Sequence, residues 1–347
     1  MRLLFVVAHP KHIFIFQNTI KYFEKKYIPY MILAVDKDIV INLLNIFNFN
    51  YEVVGKNRAG FLNNFIEIPK RIFVGMKKAR NFSPSLIIGQ ADPFFAIIGK
   101  LLSIPTLFLP DSEGAFLSRY IAFPLASNIL VSNSYNRQIK QKHIRLNHYL
   151  EMAYLHPNYY SSTDDVYSLL KITPKQKYVI IRFVSWNAHH DIGHEGLTFE
   201  NKKLAVKLFS NYANVFISSE GELPPELERY RINVKLDKLH QVLEKASLFF
   251  GESATMAAES AILGTPAIYI DNKGTGYTHD IEENYNLIFN FTESMVDQES
   301  AINKGLYFLK DDHEEELNKN RNKLIKDKID ISSYLINFIE QLHVSNN

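Results

Sequence analysis

The stretch GESATMAAESAILGTP, residues 251–266, decides the fold of this chain. Apolar runs flank it at residues 248–250 and 267–270, so the pattern predicts a strand, a turn, a helix and a second strand. Ser253 is a suitable N-cap, Gly264 is a suitable residue just beyond the helix, and Pro266 prevents the helix from continuing. The pattern therefore predicts a helix whose small residues pack closely on a sheet.

The start of this predicted helix is a candidate nucleotide site. Backbone N–H groups and the positive end of the helix dipole would stabilise a diphosphate at Ser253 and Thr255. Glu259, one turn further along the face of Thr255, could accept hydrogen bonds from the two hydroxyl groups of a ribose. The alternative is an ordinary helix that only packs on a parallel sheet, with Glu259 in contact with solvent.

Composition places the chain among soluble globular proteins, with 46% hydrophobic and 22% charged residues in a length of 347. That length predicts two domains of about 150–170 residues each. The formal net charge of +2 gives no electrostatic argument for nucleic acid as a partner. The absence of cysteine excludes disulfides, cysteine nucleophiles and thiolate metal sites.

The chain also lacks the sequence signals of membrane insertion and export. The longest apolar stretch, residues 94–109, is interrupted by Lys100 and Pro105, so we expect no transmembrane segment. Residues 1–8 have one basic residue and too short an apolar core for a signal peptide, and they read as a first buried strand. We expect a cytoplasmic protein, with peripheral association at the inner membrane face as an open alternative.

Short apolar runs alternate with helical patterns along the whole chain, which predicts parallel sheets with crossover helices. Strands are expected at residues 3–8, 30–35, 51–54, 86–89, 106–109, 128–131, 178–183, 215–218, 248–250, 266–270 and 287–289. Helices are expected at residues 13–26, 38–48, 61–81, 93–102, 199–212, 239–246, 255–263 and through most of 293–343. The pattern loosens near residues 142–165, so we predict domains at 1–150 and 151–347, with the last helix able to pack back on the first domain.

Polar residues follow three predicted strands of the first domain, where ligands bind in such sheets. His12 follows the first strand, Asp92 the fourth, and Asp111 and Glu113 the fifth. Asp111, Glu113 and His12 are candidate catalytic acids or bases, and Asp92 is a candidate substrate contact. The alternative is that Asp111 or Ser112 caps the next helix and Glu113 lies in its first turn.

Three loops of the second domain carry further candidates. Arg182 ends a predicted strand and could bind phosphate through two parallel hydrogen bonds. Glu220 could cover a substrate pocket or simply belong to a turn, and residues 271–277 are expected to form a flexible loop. Histidines on the loop after Arg182 are candidate substrate or phosphate contacts; we predict no metal site there, because adjacent histidine side chains diverge. These histidines are His189, His190 and His194.

The chain has two doubly wound halves, and the second half carries a helix that could bind a ligand at its start. This layout resembles the GT-B architecture, in which two Rossmann-like domains face a cleft. Residues 236–246 running into 251–266 look like the nucleotide-binding region of non-hydrolysing UDP-N-acetylglucosamine 2-epimerases. The resemblance implies that Leu239 lies near the base, that Gly251, Ser253 and Ala254 lie near the diphosphate, and that Glu259 binds the ribose. Ser253-Ala254 stands where those epimerases carry a pair of glycines, which departs from their phosphate geometry.

A GT-B-like family of bacteria and archaea, classed as a domain of unknown function, resembles the chain over nearly its whole length. The matching strings lie at residues 10–16, 111–113, 151–157, 186–194, 218–224 and 251–256. Two residues depart from the pattern: Phe14 and Gly114 stand where histidines are expected. The resemblance implies the fold directly and the chemistry only by analogy.

The implied function is metal-independent glycosyl transfer from a nucleotide sugar, most simply UDP-linked, in polysaccharide or glycoconjugate synthesis. The expected partners are the nucleotide sugar and a glycan or lipid-linked acceptor, without a further cofactor and without nucleic acid. Epimerisation of the bound sugar is one alternative, and a non-catalytic nucleotide-sugar-binding protein is another, which the residues Phe14 and Gly114 keep open. A homodimer is an open expectation, since epimerase-like proteins are often dimers.

Overall fold

The computed structural model describes residues 1–37, 39–56, 61–111, 113–162, 165–184, 196–219 and 221–345, without the side chains of residues 61–68 and 345. The chain divides into two compact units. The first unit comprises Met1–Tyr154 together with Lys328–Asn347, and the second comprises Leu155–Asp327. Each unit is built around its own parallel sheet.

The first unit alternates strands and helices, as its apolar periodicity predicts. Its elements, in chain order, are β1 Leu3–Val7, α1 Pro10–Lys25, β2 Tyr30–Asp36, α2 Val40–Ile46, β3 Tyr51–Lys56, α3 Phe61–Phe82, β4 Leu86–Gly89, α4 Pro93–Leu102, β5 Thr106–Phe108, a π-helix at Ser118–Ala122 running into α5 Phe123–Leu125, β6 Asn128–Ser132, β7 Ile144–Leu146 and α6 Met152–Leu155. Within the described part of the unit, the parallel strands run in the order β3-β2-β1-β4-β5-β6-β7. The central strand β1 is fully buried, so helices cover both faces of the sheet.

The second unit repeats this plan with a smaller sheet. Its elements are α7 Val166–Leu170, β8 Tyr178–Phe183, α8 Phe199–Phe209, β9 Asn214–Ser219, α9 Pro225–Glu228, a 3₁₀ turn at Leu236–Lys238, α10 Leu239–Glu244, β10 Leu248–Gly251, α11 Ala254–Leu263, β11 Ala267–Ile270, α12 Gly276–Tyr285, β12 Ile288–Phe291, α13 Met295–Lys310 and α14 Glu314–Asp327. The described strands are parallel, in the order β12-β11-β10-β8-β9. The final helix, α15 Ile331–Ser345, belongs to the first unit and packs on α1.

The fold class predicted from the sequence is confirmed: both sheets are parallel, and both units are Rossmann-like. Two local predictions are wrong. The loop predicted at residues 271–277 is limited to residues 271–275, because Gly276 and Tyr277 begin helix α12. Helix α1 begins at Pro10, three residues before the predicted start, so Lys11 and His12 lie in its first turn. No helix in the described ranges combines the length and apolar character of a membrane span.

Candidate functional site

The first unit places its polar residues where the strand order reverses. The chain proceeds from β1 to β2 and β3 on one side, whereas β4 lies on the other side of β1. Ligands bind outside the carboxyl ends of the strands at such a point. His9 caps helix α1 there, because its side-chain Nδ1 accepts a hydrogen bond from the backbone N–H of Lys11 at 3.2 Å.

Lys11 connects two carboxylates at this edge of the sheet. Its Nζ lies 2.8 Å from Asp111 Oδ2 and 2.7 Å from Glu151 Oε1. The lysine is 5% exposed and Glu151 only 1%, while Asp111 is partly exposed. A lysine in the first turn of a helix is unfavourable for the helix dipole, so the two carboxylates also offset that cost. The structure thus joins residues about a hundred positions apart into one ion-pair cluster, which we call the Lys11 cluster.

Burial sets the proton affinity of this cluster. Burial raises the pKa of the Glu151 carboxyl, and the neighbouring Asp111 raises it further, while Lys11 opposes both. Two carboxylates that share one cation differ in exposure, so their environments differ as well. Glu151 is enclosed, whereas the Asp111 carboxylate is the member of the pair that a substrate could reach, so Asp111 is the candidate base.

His12, a candidate acid or base, lies in the first turn of α1 and contacts the backbone. Its Nδ1 accepts a hydrogen bond from the backbone N–H of Ala8 at 3.2 Å. Burial lowers the pKa of His12 to about 3, and the positive charges of His9, Lys11 and Lys37 lower it as well. A ring with so low a pKa is a weak base, so the geometry favours Asp111 over His12 as the proton acceptor.

The other two candidates of the first unit bond to backbone N–H groups. Asp92 is the N-cap of α4, and its Oδ1 accepts from Phe94 N at 2.8 Å and from Phe95 N at 3.2 Å. Burial raises the pKa of Asp92, although these two bonds oppose the shift. Glu113 Oε1 accepts from Asn136 N at 3.3 Å. The expected alternative, Asp111 as a helix cap, gives way to the ion pair with Lys11.

His148 should make the first unit less stable in acid. Its side chain is 1% exposed, and burial lowers its pKa from 6.5 to about 4. The unfolded chain takes up this proton near the ordinary pKa, so the free energy of unfolding should fall as the pH drops from there toward the folded value. At about pH 4.5 we expect a loss of about 2–3 kcal/mol from this residue. Urea denaturation at about pH 7 and about pH 4.5 should show a shallower pH dependence for His148→Gln; an unchanged dependence would contradict the assignment.

The second unit also has a reversal point, between β8 and β10. Gly251 ends β10 in register with Arg182 of β8, and Arg182 is in turn in register with Ser218 of β9. A Cβ on Gly251 would lie 2.3 Å from the carbonyl oxygen of Arg182, so no larger residue fits without movement of the backbone. Arg182 Nη1 donates to Ser218 Oγ at 2.8 Å, which fixes the guanidinium at the carboxyl edge of the sheet.

Helix α11 starts directly after this point. Ser253 is its N-cap, and the Ser253 Oγ accepts from Met256 N at 3.3 Å. Ala254 and Thr255 form the first turn and are partly exposed, whereas the rest of the helix is buried. Gly264 ends the helix with a φ of 99°, a left-handed conformation that favours glycine. The cap geometry predicted from the sequence is therefore present at both ends.

Glu259 lies deeper in this helix than its predicted role suggests. Its carboxylate is almost fully buried, and Oε1 lies 3.1 Å from Nε2 of His240 on α10. The neighbouring Leu239, the residue predicted near the base, is the first residue of α10 and is partly exposed. The alternative of a solvated Glu259 is thus excluded, because the side chain is enclosed between two packed helices.

Glu252 is a buried carboxylate that the sequence reasoning did not single out. Its Oε2 accepts from Val184 N at 2.8 Å and its Oε1 from Leu197 N at 2.6 Å. It therefore holds the chain directly after β8, next to Arg182. Lys11 and Glu151 were also missed as site residues. A proline immediately before Lys11 marks the start of a helix, and Glu151 belongs to a string of the resembled family, so each carried a signal.

Several predicted residues lie outside the described part of the chain. These are the three candidate histidines of residues 185–195 and the carboxylate after β9, namely His189, His190, His194 and Glu220. Their predicted contacts with substrate or phosphate stay predictions.

Comparison with known proteins identifies the family and the fold. The model of the family described as "Protein of unknown function (DUF354)" matches residues 3–332. An uncharacterised protein of Methanocaldococcus jannaschii, MJ0665, is 23% identical over 324 residues, covering 85% of this chain and 92% of that protein.

Two solved structures illustrate the likeness in fold. The UDP-GlcNAc 2-epimerase of Neisseria meningitidis, solved with UDP-GlcNAc bound, has a TM-score of 0.63 at 13% identity and covers 99% of each chain. The spinosyn rhamnosyltransferase SpnG has a TM-score of 0.63 at 12% identity, covering 98% of this chain and 100% of that one. Epimerases and GT-B glycosyltransferases are therefore the structural neighbours, and at these identities they show the fold alone.

Proposed function

We propose that this chain, which belongs to the DUF354 family, is an enzyme that acts on a nucleotide sugar and transfers the sugar to an acceptor. The observation that carries the proposal is the meeting of Arg182, Gly251 and the start of α11 at the reversal point of the second sheet. The likeness in fold to a protein solved with UDP-GlcNAc supports it.

The second unit would hold the nucleotide. A diphosphate at the start of α11 would accept hydrogen bonds from backbone N–H groups and lie at the positive end of the helix dipole. Arg182 adds a guanidinium at the same edge of the sheet, and the missing side chain of Gly251 lets β10 lie directly against the backbone of Arg182. These groups would stabilise the negative charge that develops on the leaving diphosphate.

The first unit would supply the proton transfer. Asp111 is the more exposed carboxylate of the Lys11 cluster and would accept the proton of an acceptor hydroxyl group. Lys11 would fix the position of the Asp111 carboxylate through their ion pair. Asp92 and Glu113 would orient polar groups of the substrate, because both follow strands at the same edge of the sheet.

Epimerisation is a second candidate, and one observation favours it. Asp111 and Glu151 come from segments far apart in the chain, yet both contact Lys11. Removal and return of a proton at one sugar carbon requires two such groups in different protonation states. Glu151, with its raised pKa, is the natural proton donor, and Asp111 is the natural acceptor.

The nucleotide site is tested by two substitutions with different expected effects. Arg182→Gln should weaken binding of UDP by about 1.5–3 kcal/mol but leave binding of uridine unchanged, since only UDP carries the diphosphate. Glu259→Ala should weaken UDP by about 1–3 kcal/mol and weaken 2′-deoxy-UDP much less. Isothermal titration measures both, with Arg229→Gln, an exposed arginine of the same unit, as the matched control. If either variant lost the same binding free energy for UDP, uridine and 2′-deoxy-UDP, the assigned roles would be contradicted.

The reaction is distinguished by proton NMR of the nucleotide sugar incubated with the protein. A new anomeric signal without any acceptor would establish epimerisation, whereas release of the nucleotide that depends on an acceptor would establish transfer. Asp111→Asn should abolish either reaction with nucleotide affinity retained. Binding without any reaction would make the chain a nucleotide-sugar-binding protein.

A further inference from the structure

An apolar and basic surface covers one face of the first unit. Strand register places Leu4, Ile87 and Phe108 on the same face of the sheet, because Leu4 pairs with Ile87 and Phe108 pairs with Gly89, two residues further along. Helices α3 and α4 pack on that face through Ile87, and residues 122–123 pack on it through Phe108. The three elements form one layer, so their outer sides share one surface.

This layer exposes large apolar side chains. Arg71 stacks on Phe94, and a Cβ on Gly75 would lie 2.8 Å from Ile98, so α3 and α4 are in close contact beneath the surface. The exposed fractions of the outer side chains are 70% for Phe73, 61% for Leu101, 61% for Phe116, 50% for Leu117 and 59% for Tyr120. Exposed side chains of this size on adjacent elements mark an interaction surface.

Positive charges predominate in this layer. Residues 69–82, 93–104 and 114–127 contain no aspartate or glutamate. They contain exposed cations around the apolar side chains, namely Lys70, Lys77, Arg80 and Lys100. Arg119 adds a guanidinium 4.9 Å from the ring centre of Tyr120. Glu67 of α3 precedes the first of these ranges, and the carboxylates that precede the other two, Asp92 and Glu113, accept hydrogen bonds from backbone N–H groups.

We propose that this surface, formed by the outer sides of residues 69–82 of α3, of α4 and of residues 115–120, docks on an anionic lipid membrane. Aromatic and leucine side chains enter the boundary between headgroups and acyl chains, while lysines and arginines around them bind anionic headgroups. A soluble polyanion would satisfy the cations but leave Phe73, Phe116 and Leu117 in water. A neutral apolar partner would leave the cations without counter-charges.

The surface does not depend on the proposed nucleotide site, so the two can fail separately. Membrane docking has a consequence that rests on the proposed function: the acceptor is lipid-linked and is presented at the membrane.

Vesicle flotation with the full chain tests the proposal. Binding to vesicles of mixed phosphatidylglycerol and phosphatidylcholine should exceed binding to pure phosphatidylcholine at least about tenfold, and should weaken with added salt. Lys70→Gln with Lys77→Gln should weaken binding by about thirtyfold, or about fivefold per charge. Phe116→Ser with Leu117→Ser should weaken binding by more than about tenfold.

Two exposed pairs elsewhere serve as matched controls. Met295→Ser with Val296→Ser removes exposed apolar side chains of α13, and Lys140→Gln with Lys142→Gln removes exposed charges outside the layer; both should bind vesicles like the wild type. Equal binding to both vesicle types, or equal effects of the surface and control variants, would overturn the proposal. It would also be overturned if dextran sulfate bound as tightly as vesicles and only the lysine substitutions mattered, since that result identifies a soluble polyanion.

Discussion

Lys11→Met is expected to destabilise the first unit by about 3–5 kcal/mol, the usual cost of removing one partner from a buried ion pair. The substitution leaves Glu151, which is 1% exposed, and Asp111 next to each other without a cation. Methionine fills a similar volume, so the loss reports charge and not packing. The same substitution should abolish any reaction that uses Asp111.

The destabilisation should depend on pH with a defined sign. Burial already raises the pKa of Glu151, and removal of Lys11 raises it further. A carboxyl with a raised pKa in the folded state is favoured when protonated, so Lys11→Met should be closest to wild type in acid and should lose stability as the pH rises above the ordinary value for glutamate.

Urea denaturation across that pH range measures the effect, and two variants make it specific. Lys11→Met with Glu151→Gln should recover much of the stability, because the uncompensated buried charge is gone. Lys26, the residue directly after the same helix, forms an exposed ion pair with Glu340 at 2.9 Å, and Lys26→Met should change stability little. If Lys11→Met were as stable as Lys26→Met, the Lys11 cluster would not be a buried ion pair.

Gly251→Ala is expected to destabilise the second unit by about 3 kcal/mol and to abolish nucleotide binding. The added Cβ would lie 2.3 Å from the carbonyl oxygen and 2.8 Å from the backbone nitrogen of Arg182. These atoms belong to the neighbouring strand and cannot rotate away, so β8 and β10 must separate at their carboxyl ends. The separation would displace Arg182 and the cap of α11 together.

Gly89→Ala is the matched control, because Gly89 also ends a strand at a reversal point, in the first unit. The nearest atom to its added Cβ is Cβ of Val6 at 3.2 Å, a contact that a small shift relieves. Thermal unfolding and UDP titration should therefore separate the two variants clearly. A Gly251→Ala protein that binds UDP as tightly as the wild type would show that the backbone at this position does not shape the site.

The long elements could be predicted from the sequence, whereas several short or polar ones could not. Helix α4 and strands β4 and β8 were placed with their exact bounds, because each is a strongly apolar run between clear breakers. Strand β7 has three residues, two of them exposed, and leaves no alternation to detect. Helix α12 has a capping box formed by Thr275 and Thr278, without the glutamate that usually marks this motif.

The site was predictable where it depends on local geometry. The caps of α11 and the polar residues at strand ends follow from the chain itself. The partners of those residues do not: Lys11 and Glu151 are 140 positions apart in sequence, and only the order of the sheet brings them together. The same holds for Glu259 and His240, which meet because α10 and α11 pack side by side.

Titration calorimetry of the wild-type chain with UDP-, GDP-, CMP- and dTDP-sugars, in the absence of divalent metal, tests the central claim most directly. We expect saturable binding of at least one of them to a single site, weakened by about 1.5–3 kcal/mol in Arg182→Gln and unchanged in Arg229→Gln. Absence of heat with every nucleotide sugar would contradict it and would leave α11 as a helix that only packs on its sheet.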